Sequence, residues 1–497
     1  MTPENLLILA MGLPLIGVGL VFLVGKLPNV REAASLTIAI ALFGITCLLA
    51  SHVFAGGRPE WHIGEMIPGF EIAFAVEPLG MLFALVASGL WILTTVYAAG
   101  YMRGNHESHQ TRFFACFAAA IFAALAAAFS ANLFTLFVAY EIMTISTYPL
   151  VTHHGTREAR NGGRVYLGIL LSTSVAFFMF AIAWTSNIAG TLDFRLGGIL
   201  AEPLADGKIT ETQLGVLLGL FAFGIGKAAL MPFHRWLPAA MVAPTPVSAL
   251  LHAVAVVKVG VFSVLKVAVF IFGIDLLRTT GVSIWLAYVA AGTLVTASLV
   301  AMTKDSLKAR LAYSTISQLA YISLGAALAT PASVIGGGMH IAMHAVGKIT
   351  LFFCAGAIYV ATHKKNISEM QGLGRQMPFT FAAFLIASLS IIGLPPGGGV
   401  WSKWFLAVGT VETQHYLLTA ALMVSSLLNI AYLIPIPIRA FMAPQETTAD
   451  PHAAPAGIQE APWMCVVPLC LTAALSIVLF FTAGSIYEVL LPLVSSQ

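Results

Sequence analysis

Long apolar runs separated by short polar loops recur from one end of the chain to the other. Runs such as 78–101 and 247–272 are long enough to cross a ~30 Å hydrocarbon core as helix, which takes about 20 residues. A transmembrane barrel would instead show ~10-residue segments of alternating polarity, and these runs do not alternate. The pattern predicts an all-α polytopic membrane protein of about fourteen helices. Their approximate cores are 6–24, 34–54, 78–101, 113–129, 132–151, 165–188, 214–230, 247–272, 282–302, 307–328, 334–360, 379–408, 416–436 and 466–491.

Basic residues divide unequally between the loops. Odd-numbered loops carry fourteen lysines and arginines, among them Lys26, Arg103, Arg157, Lys304 and Lys365, whereas even-numbered loops carry Arg58, Arg195, Lys208 and Arg278. The positive-inside rule puts the odd loops in the cytoplasm and both termini on the external or periplasmic side of a bacterial cytoplasmic membrane. The first run opens on Glu4 and is followed by further spans, so it reads as a span and not as a cleaved leader.

Two runs cannot continue as helix. The seventh ends in Met231-Pro232-Phe233-His234-Arg235-Trp236-Leu237-Pro238, and the twelfth contains Leu394-Pro395-Pro396-Gly397-Gly398-Gly399. Irregular backbone at membrane depth is tolerated only inside protein or beside a wet cavity. Taking spans 4–8 (112–273) and 9–13 (281–438) as two inverted five-helix repeats puts each break in the fourth helix of its repeat. That arrangement is typical of transporters. Spans 1–3 (1–111) and span 14 (461–497) complete a single transmembrane domain.

Composition sharpens this picture. Hydrophobic residues make up 59% of the 497 and charged residues 9%, against roughly 25% charged in a soluble domain. The net charge of +3 carries no nucleic-acid signal. Cys47, Cys116, Cys354, Cys465 and Cys470 lack metal-ligand spacing and read as small buried hydrophobes. Neither a nucleotide fingerprint nor an iron–sulfur motif is present, so no cofactor is expected.

The ionisable residues inside spans carry the chemistry. Each costs about 2.5–3.5 kcal/mol on insertion scales. Lys227, Lys258, Lys266, Lys348 and Lys403 and the mid-span carboxylate Glu141 therefore need a reason. A desolvated lysine can take and release a proton near neutrality, and a file of them makes a proton wire. Glu141 is expected to pair with Lys227, which precedes the first break, although a packing salt bridge is the bland alternative. His340, His344 and Lys348 stand at i, i+4, i+8, a slowly drifting stripe suited to proton shuttling. Two histidines bonded to neighbouring carbonyls is the alternative there. A metal pair lacks a further Cys or acid, so no metal site is expected. His252 and Lys258 would continue the path. Lys266, near the end of its helix, either joins it or snorkels to the interface. Lys403 follows the second break and is the counterpart of Lys227.

At these residues the chain resembles a known family. Pro232-Phe233-His234-Arg235-Trp236-Leu237-Pro238 followed by Pro244-Thr245-Pro246-Val247-Ser248-Ala249-Leu250-Leu251-His252-Ala253 is similar to the signature of the antiporter-like subunits of respiratory complex I, membrane-bound hydrogenases and Mrp-type cation/proton antiporters. Asp305-Ser306-Leu307-Lys308 with Leu311-Ala312-Tyr313-Ser314-Thr315-Ile316-Ser317-Gln318, and His340-x3-His344-x3-Lys348, resemble the next two helices of that family. The resemblance implies fourteen helices, an inverted repeat and proton translocation along a polar axis, with Glu141, Lys227, Lys258, Lys348 and Lys403 at functional positions. It also implies a hetero-oligomeric membrane complex as partner, with protons and sodium as the transported ions. Ser402-Lys403-Trp404 and Ser425-Ser426-Leu427-Leu428-Asn429 look most like the Mrp D-type component. The complex I M component instead carries glutamate at the position of Lys403. The competing expectation is the proton-pumping subunit of a redox complex whose redox centres lie in other chains. A haem-binding cytochrome would need histidines paired across helices, and His340 and His344 are one turn apart.

Overall fold

The structure, a computed structural model, describes residues 1–250, 254–443 and 457–495. His252 lies outside the described residues. The helices are α1 (Pro3–Leu23), α2 (Pro28–Phe54), α3 (Pro78–Gly104), α4 (Gln110–Ala128), α5 (Leu133–Val151), α6 (Arg157–Ala189), α7 (Glu211–Gly224), α8 (Val256–Phe272), α9 (Ile284–Met302), α10 (Leu307–Leu328), α11 (Pro331–Thr362), α12 (Pro378–Ile392), α13 (Gly399–Glu412), α14 (Tyr416–Met442), α15 (Trp463–Phe481) and α16 (Ala483–Leu493). Proline at the first helical position starts α2, α3, α11 and α12, where a missing N–H costs no hydrogen bond. Asn132 caps α5 by accepting from the Thr135 N–H at 2.8 Å.

Among the described residues eleven helices are long and apolar enough to span, or twelve when α8 and Ile274–Thr280, bent 80° apart, count as one. The seventh and twelfth expected spans fall short of that length because each is broken into short helices. The first is α7, which stops at Gly224 ahead of a 3-10 turn at Gly226–Ala228. The second is α12 plus α13. Here the chain turns back at Gly393 (φ +92°) and presses so closely on α12 that a Cβ on Gly399 would collide with the Ser390 carbonyl oxygen. No other residue fits at that approach.

The bundle is layered around α10 and α11. Their most apolar stretches are 94% and 100% buried, against 33–39% for α1, α2, α6, α14 and α15, which form the outer rim of the bundle. The expected external loop at 58–71 instead contains much of an antiparallel hairpin, β1 (Glu60–Ile67) with β2 (Phe70–Ala75). The turn at Gly69 (φ +82°) between two β-rich strings was a legible hairpin signal.

Candidate functional site

Lys227 sits within the first break rather than ahead of it. Its backbone N–H donates to the Tyr140 hydroxyl at 3.0 Å, and Trp236 Nε1 donates to the Gly226 carbonyl at 3.0 Å. Side chains of α5 and of the segment beyond the break thus satisfy backbone groups that the helix has released. The buried ammonium donates to the Tyr140 carbonyl (2.9 Å) and the Thr144 hydroxyl (2.5 Å), and lies 3.1 Å from the centre of the Tyr140 ring.

Glu141, expected to pair with Lys227 and tune its proton affinity, makes no hydrogen bond to it. Both Glu141 carboxylate oxygens are buried without a hydrogen-bond partner. The reason is helical geometry. Tyr140 and Thr144 share one face of α5 at i and i+4, whereas Glu141 is rotated by about 100° from Tyr140. Lys227 and Glu141 therefore act on one another only through space.

α8 passes directly over the break. A Cβ on Gly260 would collide with the Lys227 carbonyl carbon and the Ala228 nitrogen. Two residues earlier, Lys258 Nζ hydrogen-bonds His344 Nδ1 on α11. The His344 and His340 rings stack at 5.5 Å, and His340 packs on Tyr321 of α10 at 5.6 Å. His340 Nδ1 is 2.8 Å from the Ser402 hydroxyl, one residue before Lys403. Lys403 Nζ donates to the Ile392 carbonyl (3.0 Å), with the Ser426 hydroxyl at 3.4 Å and the Tyr321 hydroxyl at 3.5 Å. Lys258, His344, His340 and Ser402 thus form a file across α8, α11 and α13, and Tyr321, on which His340 packs, links its end to Lys403. Each histidine keeps a buried Nε2 without a hydrogen-bond partner.

Lys348 leaves this file. Its ammonium donates to the Ser314 hydroxyl at 2.6 Å, and the Ser314 and Tyr432 hydroxyls are hydrogen-bonded at 2.9 Å. Tyr432 also donates to Asn429. The stripe of three thus splits, with the histidines facing α8 and α13 while the lysine turns to α10 and α14. Lys266 does not snorkel. It is 1% exposed and pairs with Glu77 at 2.7 Å.

Tyr140, Thr144, Ser314, Tyr321, Ser402, Ser426, Asn429 and Tyr432 are the polar partners that inspection of charged residues passed over. Their signal was hydroxyl and amide groups inside apolar runs. Both broken-helix lysines lie over a tyrosine, Lys227 on Tyr140 and Lys403 on Tyr321 at 4.5 Å.

At the loop end of α5, a cavity of about 480 Å³ is lined by Tyr101, Glu107, His154, Thr245 and Lys308, among others. Hydrogen bonding to Glu107 at 3.3 Å raises the His154 pKa. Neighbouring His153 is pushed down to about 4 by burial.

Residues 130–429 match the family described as NADH:quinone oxidoreductase/Mrp antiporter, transmembrane, and residues 67–114 match the N-terminus of NADH-ubiquinone oxidoreductase (complex I) chain 5. The chain is 31% identical over 446 residues to the N subunit of the NADH-quinone oxidoreductase of Desulforudis audaxviator, with 87% of each chain covered. It is 26% identical over 487 residues to the D-type component of the Na(+)/H(+) antiporter of Alkalihalophilus pseudofirmus, with 98% of this chain and 95% of the relative covered. A chain of the Mrp complex from Dietzia sp. shares the fold, with a TM-score of 0.87 at 21% identity over 99% of this chain and 97% of that one. These matches show that this multi-pass membrane chain belongs to the NADH:quinone oxidoreductase/Mrp antiporter family.

Proposed function

We propose that this chain is the proton-translocating subunit of a multisubunit Na+/proton antiporter of the Mrp type, corresponding to its D-type component. The observation that carries the proposal is the contact between Lys258 and His344. It joins a buried lysine of one helix to two histidines on another, which lead toward Lys403, a half-buried lysine on a third. Proton carriage needs groups that exchange a proton at low cost, spaced within a hydrogen bond or one water of each other. Glu141 and Lys227 set the proton affinity at one end, Lys403 stands at the other, and Lys348 with Ser314 and Tyr432 forms a branch. His252, next along the chain from the break, is assigned to the same path.

In this reading the chain is one transmembrane domain of fourteen spans. Residues 112–273 and 281–438 are inverted repeats, and both termini lie on the external side of the cytoplasmic membrane. The two lysines resting on tyrosines in corresponding broken helices support the repeat. The sodium path runs through partner subunits, because a hard cation needs several oxygen ligands.

The test is cation-dependent proton flux in everted vesicles carrying the whole complex, compared with Lys258→Ala. Sodium-dependent flux that the variant abolishes supports the proposal, and unchanged flux in the variant removes it. The second reading, a proton-pumping subunit of a redox complex, draws on the 31% identity to a quinone oxidoreductase subunit. Co-purification with iron–sulfur subunits and flux that requires a reductant would establish it instead.

A further inference from the structure

A buried charge pair, Lys266 with Glu77, stands apart from the file and, through Glu77, lines a cavity. Lys266 Nζ lies 2.7 Å from Glu77 Oε1 and donates to the Ser130 carbonyl at 2.8 Å. The rings of Phe194, Phe262 and Phe270 surround it at 4.4, 5.5 and 5.9 Å. Glu77 is the residue before α3, at the end of the bundle that carries the β1–β2 hairpin. It lines a cavity of about 590 Å³ together with Arg58, Leu196, Phe270, Ser485 and Glu488. Arg58 and Glu488 are the other charged side chains on that wall, and Arg58 is itself paired with Glu60 at 3.4 Å.

Stability alone does not account for the pair. Desolvating two charges costs several kcal/mol per ion, and an apolar pair of similar volume would hold α3 to α8 as well. What the charges add is a titratable link between the interior and a cavity large enough for water. Lys266 stands on α8 eight residues beyond Lys258, about 12 Å along the helix axis. Phe262 lies midway, fully buried and packed on Phe83 at 5.2 Å.

We propose that Glu77 and Lys266 form the outer gate of the lysine file, passing protons between Lys258 and the hairpin-side cavity, with Phe262 as the apolar barrier between the two lysines. The gate rests on the proton-carrying reading of Lys258. In one cycle the Lys266 ammonium gives a proton to the Glu77 carboxylate, leaving an amine and a carboxylic acid. The acid releases that proton to water in the cavity. The amine takes the next proton from the Lys258 ammonium, through water admitted when Phe262 turns. Lys266 and Glu77 regain their charges, and Lys258 is left as an amine for His344 to reload.

The experiment uses the full complex carrying Glu77→Cys, in vesicles of both orientations. Impermeant methanethiosulfonates are applied, one bearing a sulfonate and one a trimethylammonium group, with wild type as the control for native thiols. The gate predicts labelling from the hairpin side only and a flux lowered on the order of a hundredfold. Neither adduct should recover flux, because the sulfonate restores a negative charge but cannot take a proton from the Lys266 ammonium; recovery by the sulfonate would make Glu77 a fixed charge and overturn the gate. The paired variant Glu77→Gln/Lys266→Met leaves no lone buried charge, so it inserts and assembles, yet its flux should stay as low. Wild-type flux in the paired variant, or a Glu77→Cys protein that no reagent reaches, overturns the gate while the file stands. Absence of cation-dependent flux in the wild type removes the file and the gate with it.

Discussion

Lys403 separates a moving proton from a fixed charge, and its surroundings set the size of each effect. Its ammonium donates to the carbonyl of Ile392, the last residue of α12, at 3.0 Å. Carbonyls at a helix C-terminus lack partners, and a cation there stabilises by about 0.3–1 kcal/mol, or up to ~2 in a partly buried site. At about 1.4 kcal/mol per factor of ten, a capping charge accounts for at most roughly thirtyfold. A group that must shed a proton each cycle contributes about 10² to 10⁴. Lys403→Arg keeps the charge and the cap, but a guanidinium cannot be deprotonated in a protein. Arginine should therefore fail as completely as Lys403→Ala. Glutamate titrates, although its ionised form at the Ile392 carbonyl is disfavoured by about 0.3–1 kcal/mol. The expected order is wild type, then Lys403→Glu, with Lys403→Arg and Lys403→Ala together near zero. Flux is read in everted vesicles as cation-dependent proton movement, with the amount of each variant measured by immunoblot. Wild-type flux in Lys403→Arg would refute proton carriage by this residue and leave it a cap.

Gly260→Ala should cut flux and lower the melting temperature of the purified complex. Its new methyl group meets the backbone of Lys227 and Ala228, and overpacking of this kind costs about 1–3 kcal/mol. Gly337→Ala, whose nearest contact would be 3.7 Å, should be close to silent, and equal effects at both sites would disprove the close approach of α8. Glu141→Ala and Lys227→Ala should each lower flux severely, and the double variant less than their sum, by about 0.5–3 kcal/mol of coupling; additive losses would mean that the two do not communicate. Because Glu107 raises the His154 pKa, protonated His154 stabilises the fold fully below its ordinary value near about 6.5, and this is lost as pH rises through the raised value. His154→Gln should thus lower the melting temperature more at about pH 6 than at about pH 8 or above, and a pH-independent difference would reject the pairing. Single cysteines placed in 157–164 and 363–375 should react only from the cytoplasm, and cysteines in 58–71 only from outside; the reverse pattern inverts the topology.

Much of this protein is legible in its sequence because the bilayer allows few solutions. A run of about 20 apolar residues with no water to satisfy its backbone must become helix, and proline with clustered glycine must end it. The mostly helical multi-pass fold and the two interrupted helices follow from that alone. So does the set of lysines worth asking about, since a charge in a span is too costly to be incidental. Partnership was not legible, because sequence spacing fixes a face of one helix and not what lies opposite. The stripe of His340, His344 and Lys348 reads as one track, yet packing sends the histidines to Lys258 and Ser402 and the lysine to Ser314. Glu141 and Lys227 read as a pair, but the hydrogen-bond partners that α5 turns to the break are Tyr140 and Thr144. Glu77 stands at a span boundary and nothing in its sequence neighbourhood marks it as buried. Only the packing of α3 against the end of α8 encloses it with Lys266, because the cost of burying either charge is met by a partner 189 residues away in the chain.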